Sequence, residues 1–177
     1  SDWDCGLQGE PRPISGVADP QPAVRLGLRL VANFSRGAAG RLLAARAQAP
    51  FAGTEDLALR SGLDRQDLQA LAAADALRAL SGHRRQQMWD AAAQLRAPPL
   101  LRAAPTAEPA LELPEACEGE EIGWDYAAVG LTLRRHPLAL LRPRLARWQL
   151  RTAHELREAR PGERLRACGI VTVRQRP

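Results

Sequence analysis

The sequence predicts a mainly α protein built from short helices, with a small β-hairpin at its start and a lone strand at its end. Three observations carry that prediction. Apolar residues recur at period two only near the N-terminus, the central part reads as short helices with recognisable starts, and a β-branched run closes the chain.

The hairpin comes first. Trp3, Cys5 and Leu7 alternate, and so do Val24, Leu26, Leu28 and Leu30, with Arg25 and Arg29 between them. Two strands joined by the Gly/Pro-rich residues 8–22 would pair antiparallel. Helices follow. "RGAAGRLLAARA" is one, and "TEDLALR" is a second, with Thr54 as its N-cap and Glu55 and Asp56 in its first turn. In "LDRQDLQALAAA", Asp64 caps while Leu63 and Leu68 take the two ends of a hydrophobic staple. Breaks this short imply compact helix-turn-helix units.

After the Ser81-Gly82 break, Arg84 and Arg85 fall in the first turn of a new helix. Cations are disfavoured there by roughly 0.3–1 kcal/mol each, a cost that an anionic partner would offset. Met88 and Trp89, with Ala92 and Leu95, form an apolar stripe expected to pack in the core. Residues 97–114 hold Pro98, Pro99, Pro105, Pro109 and Pro114, a density that neither a helix nor a central strand survives, so an extended linker is expected.

"EGEEIGWDYAAVG" reads as a helix ended by Gly130, with Trp124 and Tyr126 expected to anchor it against the preceding part. Glu121 and Asp125 share a face, but no His or third ligand accompanies them. Acids that a helix start favours are the simpler reading than a metal site. Thr152 and Glu155 form a capping box. Pro161-Gly162 turns the chain into "LRACGIVTVRQ", a strand with no partner downstream and hence the edge of a truncated sheet.

Composition bounds the function. A chain of 177 residues buries roughly 70% of its unfolded surface and needs no metal or disulfide to fold. The formal charge is +5 and the pI near 10.3; all 25 basic residues are Arg, so part of the basicity reflects the GC-rich coding that the alanines also suggest. Charge alternates along the chain: −3 over residues 1–23, +5 over 24–96, −6 over 97–126 and +9 over 127–177. Two basic blocks flanking an acidic connector favour an anionic partner. Cys5, Cys117 and Cys168 are far apart and lack metal-ligand spacing, as in a cytoplasmic protein with reduced thiols. With no signal peptide and no apolar run near 18 residues, neither export nor membrane insertion is supported. The chain starts at Ser1 without Met and reads as a piece of something longer. No nucleophile–base pair, Gly-rich phosphate loop or G-x-S-x-G is present, so no catalytic residue is expected.

A repeat-like pair of corners carries the binding chemistry. "LRLVANFSRGAAGRLL" (28–43) sets an Asn-Phe-Ser turn before a helix, and "LQALAAADALRAL" (68–80) sets "AAD" between two helices. Such corners can turn backbone N–H groups and a helix N-terminus outward, a phosphate site that needs no particular side chain. Arg36 follows the first turn; Arg78, Arg84 and Arg85 follow the second. Phosphate contacts of this kind position a protein on DNA without reading its sequence. The alternatives are ordinary helical corners with solvated arginines, Arg84 and Arg85 paired to Asp75 or Asp90, and His83 as an exposed loop residue.

"SDWDC", "AVRLGLRLV", "PFAGTEDLALR", "ADALRALSGHRRQQMW" and "DYAAVGLTLRRHPLALLR" together resemble the C-terminal part of bacterial error-prone DNA polymerases, relatives of the polymerase III alpha subunit, over nearly the whole chain. The resemblance implies the end of the fingers and the β-hairpin over residues 1–30, a tandem helix-hairpin-helix domain over 31–96 that grips duplex DNA, and a linker over 97–116. A helical connector over 117–163 and the first strand of a truncated OB-fold over 164–177 complete it. It implies DNA contacts from Asn33, Phe34, Ser35, Arg36, Ala74, Asp75, Arg78, His83, Arg84 and Arg85. The palm carboxylates that bind Mg2+ would lie upstream, so polymerase activity belongs to the parent and this piece carries no cofactor. Translesion synthesis after DNA damage, with a sliding clamp and accessory proteins, is the implied setting.

Two departures from the family pattern stand out. Asn33 takes the place of a glycine in "VANFS", and "AADA" stands where relatives have A-G-A, which leaves more of the grip to arginine side chains. Four to six such contacts would make log K fall with log[salt] at a slope of roughly −4 to −5. The rival expectation is a protein-interaction module whose Pro-rich connector and Arg-rich end dock an acidic partner such as the clamp.

Overall fold

In the computed structural model, residues 1–12, 21–93, 111–171 and 173–175 are described. Most of the expected linker, Leu95, and Thr172 in the terminal run lie outside them. The chain forms two compact units, Ser1–Leu131 and Thr132–Pro177. The described residues contain eight α-helices and two small two-stranded sheets.

The first unit opens with strands β1 (Gly6–Arg12) and β2 (Gln21–Arg25), paired antiparallel with Leu7 opposite Val24. The alternation that runs on to Leu30 in sequence stops as strand at Arg25. Leu28–Leu30 is instead a 3-10 turn, because the N-terminal segment crosses over it: Leu28 N–H donates to Asp2 O at 2.8 Å and Arg29 N–H to Trp3 O at 3.0 Å. A Cβ on Gly27 would sit 2.4–2.6 Å from the backbone of Trp3, Asp4 and Cys5, so only glycine permits the crossing.

Helix α1 (Arg36–Gln48) buries Ala38, Ala39, Leu42 and Ala45, three of them small alanines. Helix α2 (Thr54–Ser61) is capped by Gly53 rather than by Thr54, whose hydroxyl is buried and bonded to Ser81. Arg60 on α2 takes up carbonyls that α1 leaves open, at Ala45 and Ala49, and its guanidinium lies 4.8 Å from the Phe51 ring centre. Helix α3 (Arg65–Ala73) begins with an Asp64/Asp67 capping box, and Leu63 and Leu68 are both buried, as the staple requires.

Helices α4 (Arg78–Ser81), α5 (Arg84–Ala93) and α6 (Glu118–Val129) complete the unit. Its core joins Leu28, Val31, Phe34, Leu42, Leu57, Leu68, Leu71 and Leu77. The expected apolar stripe of α5 is a correction. Met88 and Trp89 are exposed and wall an open cavity of about 790 Å³, while the face turned inward is Arg84, Gln87 and Ala91.

The second unit holds α7 (Pro137–Arg147), started by Pro137 under a His136 cap and carrying Pro143 inside it. Strand β3 (Leu150–Arg151) follows, then α8 (Ala153–Arg157) with the expected Thr152/Glu155 capping box. Among the described residues the terminal run forms a two-residue strand, β4 (Arg166–Ala167), and it finds its partner upstream, parallel to β3. Ile170, Val171 and Val173 are exposed beyond it.

Candidate nucleic-acid interface

The two corners have the same backbone device and different surroundings. Asn33 and Asp75 both sit in the left-handed region, at φ 62° and 56°, where side chains other than Asn and Asp are strongly disfavoured. At the first corner Phe34 is buried and anchors the turn, while Asn33, Ser35, Arg36 and Gly37 are exposed. The Ser35 hydroxyl caps α1 by accepting from Ala38 N–H at 3.1 Å. No acid lies in the first turn of α1, and Arg36 forms no ion pair with any described residue. The side facing α6 is closed, because Ala32 N–H donates to Ala128 O at 2.8 Å.

At the second corner the amides turn inward. Asp75 N–H donates to Ala72 O and Ala76 N–H to Leu71 O, a Schellman-type end to α3. Leu77 N–H donates to the side-chain oxygen of Gln87 at 3.0 Å. That glutamine is fully buried, and its amide nitrogen donates to Asp75 Oδ1 at 2.6 Å and Gly82 O at 2.7 Å. Ala74 N–H is spent on Ala70 O. The expectation of outward amides at Ala74 and Asp75 therefore does not hold: α3 carbonyls take them, and Gln87, a residue with no obvious signal in sequence, braces the turn through Leu77 N–H and the Asp75 carboxylate. Arg78 remains exposed, held by Asp75 Oδ2 at 3.1 Å.

The cations at the start of α5 are the larger correction. His83 is not free in a loop; its Nδ1 accepts from Gln86 N–H, capping α5, and its Nε2 lies 2.8 Å from Leu113 O. Arg84 is 2% exposed and is clasped by two acids of α6, Glu121 and Asp125. Its Nε lies 3.3 Å from Glu121 Oε2, near enough for charge attraction, but the N–H is aimed off that line and makes no hydrogen bond. Arg85 reaches Glu120 at 3.1 Å, and both guanidiniums flank the Trp124 ring at 5.9 Å.

The anion that offsets those misplaced charges is thus the chain's own helix. The partners are neither Asp75 nor Asp90 but acids 35 to 41 residues away. The cluster that reads as helix-start acids has this second task, while Trp124 and Tyr126, expected as anchors, are both exposed, and Trp124 meets α5 through the Arg84 and Arg85 guanidiniums. The Cys117 backbone N–H and thiol, then Arg85, hold the Glu120 carboxyl below its ordinary range, so it stays charged wherever an ordinary glutamate does. Among the described residues no group of three His, Cys, Asp or Glu is placed to hold a metal ion, and no helix is long and apolar enough to cross a membrane.

Two turns of matching geometry leading into helices define a helix-hairpin-helix unit, and a family model described as helix-hairpin-helix motif matches residues 1–87. The whole chain is also similar to proteins named error-prone DNA polymerase. It is 49% identical over 177 residues to that of Aromatoleum aromaticum, 53% over 181 residues to that of Bordetella parapertussis and 51% over 191 residues to that of Methylococcus capsulatus. Each match covers 100% of this chain but only 16–18% of the relative's length. Over its whole length the chain is thus similar to one segment of proteins named error-prone DNA polymerase, and residues 1–87 match the helix-hairpin-helix motif.

Proposed function

We propose that this segment grips duplex DNA by its sugar-phosphate backbone, without reading sequence, on behalf of an error-prone polymerase. The carrying observation is the first corner: an open α1 start free of acids, an exposed Asn33–Ser35 turn and an unpaired Arg36 beside it. A helix start of this kind attracts phosphate through its amides and dipole, and Arg36 adds a formal charge. Arg78 joins it if phosphate displaces Asp75. In this reading Arg84 makes no DNA contact. Nucleotide transfer, its Mg2+ and bypass of damaged template belong to the longer parent, acting in the bacterial cytoplasm.

The test is anisotropy of a labelled duplex of arbitrary sequence with the full chain over a range of salt. Two or three phosphate contacts give a slope of roughly −2 to −3, shallower than a grip using all the arginines of both corners. Arg36→Ala should weaken binding evenly across sequences. A slope no steeper than about −1, or a loss confined to one sequence, overturns the reading.

A specific observation also supports docking of an acidic protein. In the second unit Arg147, Arg157, Arg160, Arg164, Arg166 and Arg174 are exposed and have no acid partner among the described residues. If they serve a clamp or accessory protein, replacing Arg157, Arg160 and Arg164 by Ala abolishes binding to the purified clamp and leaves duplex affinity intact. The opposite pattern assigns them to DNA.

A further inference from the structure

We infer that α6 is a built-in competitor for the DNA backbone, with the Glu120 carboxylate occupying the Arg85 guanidinium in place of a phosphate. The inference rests on the duplex-binding reading above and adds a brake to it. The two arginines at the start of α5 are held by α6 in different ways. Arg84 is buried between Glu121 and Asp125, and an ion in that position does not exchange partners without opening the helix packing.

Arg85 is exchangeable. Its side chain is 34% exposed and that of Glu120 46%, so solvent and salt screen the pair. The contact is also less than a full fork: one nitrogen, Nη2, bridges both carboxylate oxygens at 3.1 Å, while Nη1 reaches only Pro114 O at 3.4 Å. A phosphate, with more oxygens and free to approach the flat edge of the guanidinium, can engage two nitrogens at once.

Glu120→Gln isolates the competing charge, because a glutamine carbonyl can still accept from Cys117 N–H and keep the start of α6 capped. With the full chain and the same labelled duplex, E120Q should tighten binding about threefold at about 0.1 M salt and steepen the salt slope by about 0.9, one added phosphate contact. Adding Arg85→Gln to E120Q should return both values to those of the unaltered chain. Thermal melts of each variant confirm that the fold is kept.

Unchanged affinity and slope in E120Q, while Arg36→Ala still weakens binding, overturns the competitor and leaves the duplex reading standing. A gain that survives the added R85Q change also overturns it, since the effect is then one of overall charge. Absence of duplex binding by every variant and by the unaltered chain overturns the reading itself.

Discussion

The first corner and the second reach the same left-handed turn with chemically similar residues, yet one is open and the other is shut. Asn33 is neutral and exposed at its turn, and the helix beyond it starts without an acid. Asp75 is tied by its carboxylate to Gln87 and Arg78, and the amides of Ala74, Asp75, Ala76 and Leu77 are spent inside the protein. What separates them is not local. Gln87 lies a helix further on, and the acids that quench Arg84 and Arg85 arrive on α6. A turn that can bind phosphate becomes a packing joint once distant side chains satisfy its donors first. Under the proposed reading the first corner is left for a ligand, while the second holds α3 and α5 together.

Exchanging alanine for one arginine at each corner tests that division most severely. Arg84→Ala removes a buried cation clasped by Glu121 and Asp125 and should cost about 3–5 kcal/mol in a urea titration followed by circular dichroism. Arg36→Ala touches no ion pair and should change stability by less than about 0.5 kcal/mol while weakening the duplex complex. Equal stability losses at the two positions would erase the distinction between a binding corner and a structural one.

The caps and staples were legible because they are local. The Asp64 cap, the Leu63–Leu68 staple and the Thr152–Glu155 box each join residues no more than five apart, and a short window of sequence contains the whole interaction. Thr54 misled because glycine at 53 serves as the cap when the threonine hydroxyl has a buried partner at Ser81. The strand alternation misled at Leu28 and Leu30 because the crossing of the N-terminal segment recruits their backbone into a tighter turn.

On α5 the sequence points to Met88 and Trp89 as core, yet a polar arc of Arg84 and Gln87 packs instead, since α6 and the second turn supply its charges and hydrogen bonds. One signal was available. Two adjacent arginines at the start of one helix and acids at i, i+4 on another are complementary, though nothing in either stretch gives their distance in space.

Gly27→Ala is the next largest perturbation and acts on the approach to the first corner. The added Cβ would meet three backbone atoms of Trp3, Asp4 and Cys5 at 2.4–2.6 Å, and backbone does not swing aside as a side chain does. The strain should cost about 2–3 kcal/mol or lift the N-terminal segment off the turn. Loss of amide exchange protection at Leu28 and Arg29, which donate to Asp2 and Trp3, reports the second outcome. If the segment only closes the turn from behind, duplex affinity falls together with that protection. Affinity that persists after the segment lifts would show that the Asn33–Arg36 turn stands alone.

Asp75→Gly is a milder change than Gly27→Ala and addresses the comparison directly, because it gives the second corner the residue that its backbone favours. Glycine relieves the left-handed strain, worth about 1 kcal/mol, but loosens the unfolded chain by about 0.5–1 kcal/mol and gives up the bond from Gln87, worth about 1 kcal/mol. The Gln87 amide keeps Gly82 O and Leu77 N–H, so the turn should persist with a net loss of about 1 kcal/mol. Arg78 is released from its carboxylate at the same time, and the corner loses a negative charge, so duplex affinity should rise slightly. A stability loss well beyond about 2 kcal/mol would mean that the carboxylate, not the braced backbone, holds this corner shut. An affinity gain as large as that expected for Glu120→Gln would move the brake from α6 to the turn itself.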